Sequence, residues 1–250
     1  MDGSLGERDG VSTIATQWDR IMGGQPDPGL GLALVTGVAA AVAVLPWRIW
    51  RISRTVVTIA HEGGHALAAV LTGRRLKAVR LHSDTSGLTV SRGKPRGPGM
   101  VFTALAGYVA PSLLGLGSAV LLAGGRITLL LWLAILGLAA MLVMIRNVFG
   151  VLSVVLTGGL VFAVSWYADT DLQAAFAYLT AWFLLLGGVR PVFELHRKRR
   201  AGRAPASDAD QLARLTGLSA TLWVLLFGLV SVFALVVGAA LLLPAVLSMV

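Results

Sequence analysis

Seven apolar stretches, near residues 30–50, 55–72, 100–123, 127–145, 149–167, 172–189 and 219–243, follow one another with only short connections between them. Runs of about 17 to 25 apolar residues are long enough to cross a bilayer core of roughly 30 Å as helices. The chain therefore reads as an all-α polytopic membrane protein of about seven transmembrane helices. Its composition agrees: of 250 residues 56% are hydrophobic and only 13% charged, with a mean hydropathy of +0.79, too apolar for an ordinary soluble domain. The connections leave no room for a second domain. Residues 30–250 read as one helical domain, preceded by a segment 1–29.

That segment holds Asp2, Glu7, Asp9, Asp19 and Asp27 against Arg8 and Arg20, the wrong balance for the basic start of a cleavable signal peptide. The net charge of +9 belongs to the loops. Basic residues gather between Arg74 and Arg96 and again between Arg190 and Arg214, which places both connections, the second about 190–218, in the cytoplasm. In so apolar a chain this charge marks orientation rather than nucleic-acid binding. Seven spans then put the N-terminus in the cytoplasm and the C-terminus outside. Arg48, Arg51 and Arg54 fit that orientation poorly, because they fall at the outer interface. Many arginines, few lysines and abundant Ala and Gly point to a bacterial cell membrane as the setting. With no cysteine, disulfides and thiolate ligands are excluded, and any metal must be held by nitrogen and oxygen.

After the second stretch, Val79 and Leu81, then Leu88 and Val90, alternate with polar residues around the turn-rich HSDTSG. A β-hairpin over about 77–92 is expected, followed by the loop RGKPRGPG.

The second stretch contains TIAHEGGHALAAV, residues 58–70, with three ionisable groups in an otherwise apolar helix. Positions i and i+4 lie one turn apart on one helix face, so His61 and His65 project their imidazoles together. That pair suits one tetrahedral Zn2+, and Glu62 beside the first histidine is placed to act as general base towards water. Composition gives roughly 0.0008 chance occurrences of this HExxH pattern in such a chain. An acid near the bilayer centre costs about 2.5–3.5 kcal/mol on insertion scales, so Glu62 needs a compensating role. The plainer alternative is that the three groups hydrogen-bond neighbouring helices. Gly63 and Gly64 either keep the metal face clear or permit close helix packing, and packing is the simpler expectation. The opening to water is expected on the cytoplasmic side.

A catalytic zinc keeps three protein ligands, and the motif supplies two. The remaining histidines are His82 and His196; the acids in reach of the same side include Asp84, Asp208 and Asp210. Ser207 reads as an N-cap with Asp208 and Asp210 in the first turn, and the S-x-x-D spacing resembles a capping box, so capping and ligation compete for both acids. His82 and Asp84 sit in a hairpin turn, where solvent exposure is the rule. Asp169 and Asp171 read as cap or interfacial residues.

HEGGHALAAVLTG at 61–73, the β segment ending SGLTVSRG, AGYVAPSLLG at 106–115, RNVFG at 146–150 and SDADQLARLTGL at 207–218 together resemble the M50 metallopeptidases. These are the site-2 protease class of intramembrane zinc proteases, and the likeness is nearest to their M50B-like branch. The resemblance implies that His61 and His65 ligate zinc and that Glu62 is the catalytic base. In well-studied site-2 proteases the third ligand is an aspartate in an LDG motif; this chain has none, and its SDA segment favours Asp208 over Asp210. The resemblance also offers Asn147 as a contact to substrate or a reacting oxygen, with an interhelical hydrogen bond as its plainer role. It implies that the hairpin receives an unwound substrate as an added strand. The expected activity is endoproteolysis in or near a transmembrane segment of another membrane protein, within the lipid bilayer. The alternative is a catalytically silent scaffold or zinc-binding protein on the same fold.

Overall fold

The computed structural model describes residues 23–26, 28–203 and 206–243. Most of segment 1–29, with its expected cytoplasmic placement, lies outside the described residues. Eight helices and one two-stranded sheet follow in chain order among the described residues: α1 Leu30–Val44, α2 Trp47–Leu71, β1 Arg75–Leu81, β2 Gly87–Arg92, α3 Pro98–Ala123, α4 Ile127–Met144, α5 Val148–Tyr167, α6 Thr170–Arg200, α7 Asp208–Thr216 and α8 Ala220–Leu242.

Five of these, α3, α4, α5, α6 and α8, are long and apolar enough to cross a membrane, and α1 with α2 adds a sixth if that bent pair is one span. The expected seven are not found. The first two stretches form one structure broken at Leu45 and Pro46, where the axes turn by 102°. The reason is local. α1 ends after 15 residues because Pro46 has no N–H to continue it. α2 then starts with Arg48, Arg51 and Arg54, which no continuous apolar span would carry. Arg190 of α6 fixes the break by donating to the carbonyls of Val44 and Leu45.

Apolar side chains such as Val35, Leu156 and Leu229 are 70%, 73% and 68% exposed, as helices facing lipid require. Inside, small residues let helices approach. Gly115 and Gly188 leave no space for a Cβ where α3 and α6 cross, against the Leu185 backbone and Ser112 respectively. A large core joins Ala40, Trp50, Ala119, Leu131, Ala181 and Leu185.

The hairpin forms where the alternation places it, antiparallel, with Arg75 opposite Arg92 and Leu81 opposite Gly87, and an irregularity between Leu76 and Ala78. Only β1 is seated by apolar side chains: Val79 and Leu81 are buried with Ile59, Met141 and Ile145. Leu88 and Val90 face outward, leaving Gly87 and Thr89 of β2 turned towards α2. β1 is covered on its second edge by the α4–α5 connection, where Val79 bridges Ile145 and its carbonyl accepts from Arg146 N–H at 2.9 Å. Among the described residues the outer edge of β2 pairs with no strand.

α3 starts beside the hairpin and ends at Gly124, about 39 Å away at 1.5 Å per residue. At that far end Gln25 N–H donates to Gly125 O at 2.8 Å. Gln25 and the hairpin therefore lie at opposite ends of α3, whereas seven spans would have put them on one side. Counting the first two stretches as one broken traverse changes the parity of the spans.

Candidate metal centre

His61 and His65 both point from α2 towards α3, their rings 4.7 Å apart and nearly perpendicular. The approach needs Gly107: a Cβ there would collide with His65 Nε2 and crowd His61 Cε1. One turn away Gly64 meets Ala110 and the Ala106 carbonyl so closely that it too admits no side chain. The packing role expected of the glycine pair is thus Gly64's, while a Cβ on Gly63 would meet only Met141 Sδ, at an ordinary 4.0 Å.

His65 Nδ1 lies 2.7 Å from the Thr103 carbonyl oxygen. A carbonyl only accepts, so Nδ1 carries the proton and Nε2 presents its lone pair inward. Tyr108 sets His61 from the other side, edge-on at 4.9 Å, and is itself stacked on Phe227 of α8.

The third group arrives from α7. Ser207 and Asp210 form the expected capping box: Ser207 N–H donates to Asp210 Oδ2 at 3.1 Å, and the Asp210 carboxylate also pairs with Arg199. Asp208, in the first helical position, is left free to turn inward. Ala209 and Leu212, both fully buried against Ala104, Val192, Leu195 and Phe227, hold α7 in place. Asp208 Oδ2 comes within 3.3 Å of His61 Nε2 and 3.4 Å of His65 Nε2, and those two nitrogens are 3.1 Å apart. Burial alone raises the Asp208 carboxyl, but hydrogen bonds and charge from the two imidazoles, when they carry a proton at Nε2, outweigh it and hold the group below the ordinary carboxylate value.

Three lone-pair-bearing atoms so close together need positive charge between them. A proton serves one edge of that triangle; a single cation serves all three. Tetrahedral bonds of about 2.0–2.1 Å give ligand–ligand edges of about 3.3 Å, close to the three observed. His61, His65 and Asp208 are the group able to hold a metal ion among the described residues, and a borderline N/O donor set of this kind fits zinc.

Glu62 stands outside that group. It is 3% exposed and faces the hairpin, where Thr89 Oγ1 lies 2.6 Å from its Oε2 and a Cβ on Gly87 would strike Oε1. With His61 it lines a cavity of about 190 Å³ reaching the hairpin turn and Trp50.

A family model described as Peptidase M50B-like matches residues 34–238. The chain belongs to the M50B-like peptidase family. Comparison with curated proteins and with solved structures returns no match.

Within this M50B-like chain the acids that competed with Asp208 are placed apart from the histidine pair. Asp210 is held in its cap. His82 and Asp84 sit on the hairpin turn, where Ser86 N–H donates to Asp84 Oδ1 at 2.9 Å and Ser86 Oγ lies 3.3 Å from His82 Nδ1. The Ser86 hydroxyl and backbone hold the Asp84 carboxyl below its ordinary value. Asp169 caps α6 by accepting from Leu172 N–H at 2.8 Å.

Asn147 makes no interhelical hydrogen bond with its amide; it pairs with the hairpin instead. Its Nδ2 donates to Leu81 O at 2.6 Å and its Oδ1 accepts from Leu81 N–H at 3.1 Å, so the amide pairs with β1 as a further strand residue would. Both ends of the side chain are engaged, and the substrate contact offered by the resemblance finds no support in them.

Sequence reading missed Thr89, Gly87, Gly107, Thr103 and Tyr108. Gly107 and Tyr108 lie inside the AGYVAPSLLG segment, but nothing in their spacing says that they face the histidines.

Proposed function

We propose that this M50B-like protein is a zinc-dependent intramembrane endopeptidase, cleaving a peptide bond in or near a transmembrane segment of another membrane protein. The reading is carried by one observation: two imidazole nitrogens and a carboxylate oxygen converge at 3.1–3.4 Å, with a separate buried glutamate on the next residue of the same helix. His61, His65 and Asp208 would hold the ion. Bound zinc supplies Lewis acidity, lowering the pKa of water towards about 7 and polarising the scissile carbonyl.

The chain's own residues do the rest. Glu62, anchored at Oε2 by Thr89, takes a proton at its other oxygen and returns it to the leaving amine. His65 is held in one tautomer by Thr103, so its Nε2 stays available. A substrate helix hides its amides in its own hydrogen bonds and must unwind locally before cleavage. The free edge of β2 offers backbone groups to such an extended segment. The hairpin end and the α6–α8 connection carry the basic clusters, which supports a cytoplasmic position for both and a multi-pass location in the cell membrane. Gln25 then lies on the opposite side.

The test is to measure zinc content and cleavage of single-span substrates by purified wild type and Glu62→Gln. Zinc in both proteins, with cleavage by the wild type alone, is expected. Zinc without cleavage in either, across a broad substrate panel, would favour a silent scaffold; no zinc in the wild type would remove the metal reading.

A further inference from the structure

The face of α2 that bears His61 and Glu62 also bears Arg54 and Thr58, at helical spacing. All four line the same cavity of about 190 Å³. The chemistry proposed above uses only its inner end. The outer end is cationic and has no assigned role.

Two guanidiniums there share one carboxylate. Arg190 Nε donates to Glu194 Oε1 at 3.0 Å, while Arg54 Nη1 lies 3.6 Å from Glu194 Oε2. Glu194 is 7% exposed and is the one acid that either arginine pairs with among the described residues. Arg190 is fully engaged: besides Glu194 it serves the Val44 and Leu45 carbonyls and covers the Trp50 ring at 4.9 Å. Arg54 is held loosely. Its contact with Glu194 is beyond hydrogen-bond reach, its guanidinium is 5.9 Å from the Trp50 ring centre, and its side chain keeps 21% exposure where it meets the cavity. The surplus positive charge of the trio therefore rests on the group that faces the cavity. A guanidinium screened from bulk water favours a carboxylate, which it binds through paired N–H donors.

We infer that Arg54 is a carboxylate-binding subsite of the substrate cavity, taking an Asp or Glu side chain or the terminal carboxylate of the peptide; this rests on the endopeptidase reading. Seven residues of α2 separate Arg54 from His61, about 10 Å along the axis. At about 3.3 Å per residue an extended peptide covers that distance in about three residues. The acidic group is therefore placed about three residues from the scissile bond, and an acid at other positions gains nothing from Arg54.

The test uses the full chain in detergent micelles and synthetic apolar peptides of about 20 residues. One series carries a single Glu moved stepwise along the peptide, with Gln at the same positions as control; another compares a free with an amidated C-terminus. Binding is measured in the Glu62→Gln protein, where turnover does not intervene, and cleavage in the protein with Glu62. Expected is a preference for the carboxylate of roughly ten- to a hundredfold, the range of a charge-assisted hydrogen bond. It should be confined to one Glu position or to the free terminus, lost in Arg54→Gln and partly kept in Arg54→Lys. Circular dichroism and zinc content of each Arg54 variant establish that the fold is intact. Equal binding of acid and amide peptides by the protein with Arg54, or an undiminished preference in a folded Arg54→Gln, overturns the subsite. Arg54-dependent carboxylate preference without cleavage of any peptide supports the subsite while counting against the endopeptidase reading.

Discussion

Thr89 Oγ1 lies 2.6 Å from Glu62 Oε2, so a strand of the hairpin holds the buried acid that stands beside the His61–His65–Asp208 triangle. A hydroxyl can donate to one carboxylate oxygen while the other stays free to take a proton. Thr89→Val is expected to lower kcat roughly tenfold or more, the effect of one lost hydrogen bond to a charged group. Zinc content should not change, and Thr89→Ser should restore the rate. Comparing kcat and bound zinc across the three proteins checks this; a loss of zinc in Thr89→Val would give the threonine a different role.

Asp208 and Asp210 stand two residues apart and make opposite predictions. Asp208→Ala should weaken zinc binding more than about a hundredfold, beyond the 10–100-fold typical of groups that only orient a ligand. Asp210→Ala should leave zinc in place and cost about 1 kcal/mol through the lost cap. Although burial raises the Asp210 carboxyl, Arg199 and Ser207 outweigh it and hold it below the ordinary value. Its stabilisation is therefore present above the unfolded carboxyl pKa of about 3.9 and fades as pH falls through the lower folded value. Zinc titration and acid-melting curves of both variants separate the roles.

Gly107 passes so close to the histidines that the smallest side chain strikes His65 Nε2. Gly107→Ala should force the rings apart and destabilise the fold by about 1–3 kcal/mol, as overpacking in a dense interior does. Gly63→Ala, one residue from an equally tight glycine but itself facing only Met141, should be near neutral. Thermal unfolding in detergent, with zinc affinity measured alongside, tests the contrast.

Asn147 joins the α4–α5 connection to the last residue of β1. Asn147→Ala leaves both Leu81 backbone groups without that partner and should cost about 1–3 kcal/mol locally. Faster amide exchange at Leu81, with unchanged zinc content, is the expected signature. Loss of cleavage with undisturbed exchange would return Asn147 to the substrate.

The legible parts of this protein are those set by short-range periodicity. HExxH puts two imidazoles on one helix face in any helix, alternation over 77–92 marks a hairpin, and Ser207 with Asp210 spells a cap. Each depends on residues within a turn or two of one another. The break after α1 was hidden because hydropathy counts apolar residues without registering that Pro46 and the arginines beyond it redirect the chain. Asp208 had a local reading and a distant one, and only the seating of Ala209 and Leu212 against α3, α6 and α8 decides between them. Thr89 and Gly107 were likewise invisible, because their importance lies in distances to residues far away in sequence. By itself the sequence determined a helix bearing two imidazoles on one face and a neighbouring acid. The tertiary structure alone decided which carboxylate completes the triangle, what holds the acid and which groups share its cavity, since convergence in space depends on packing rather than on spacing along the chain.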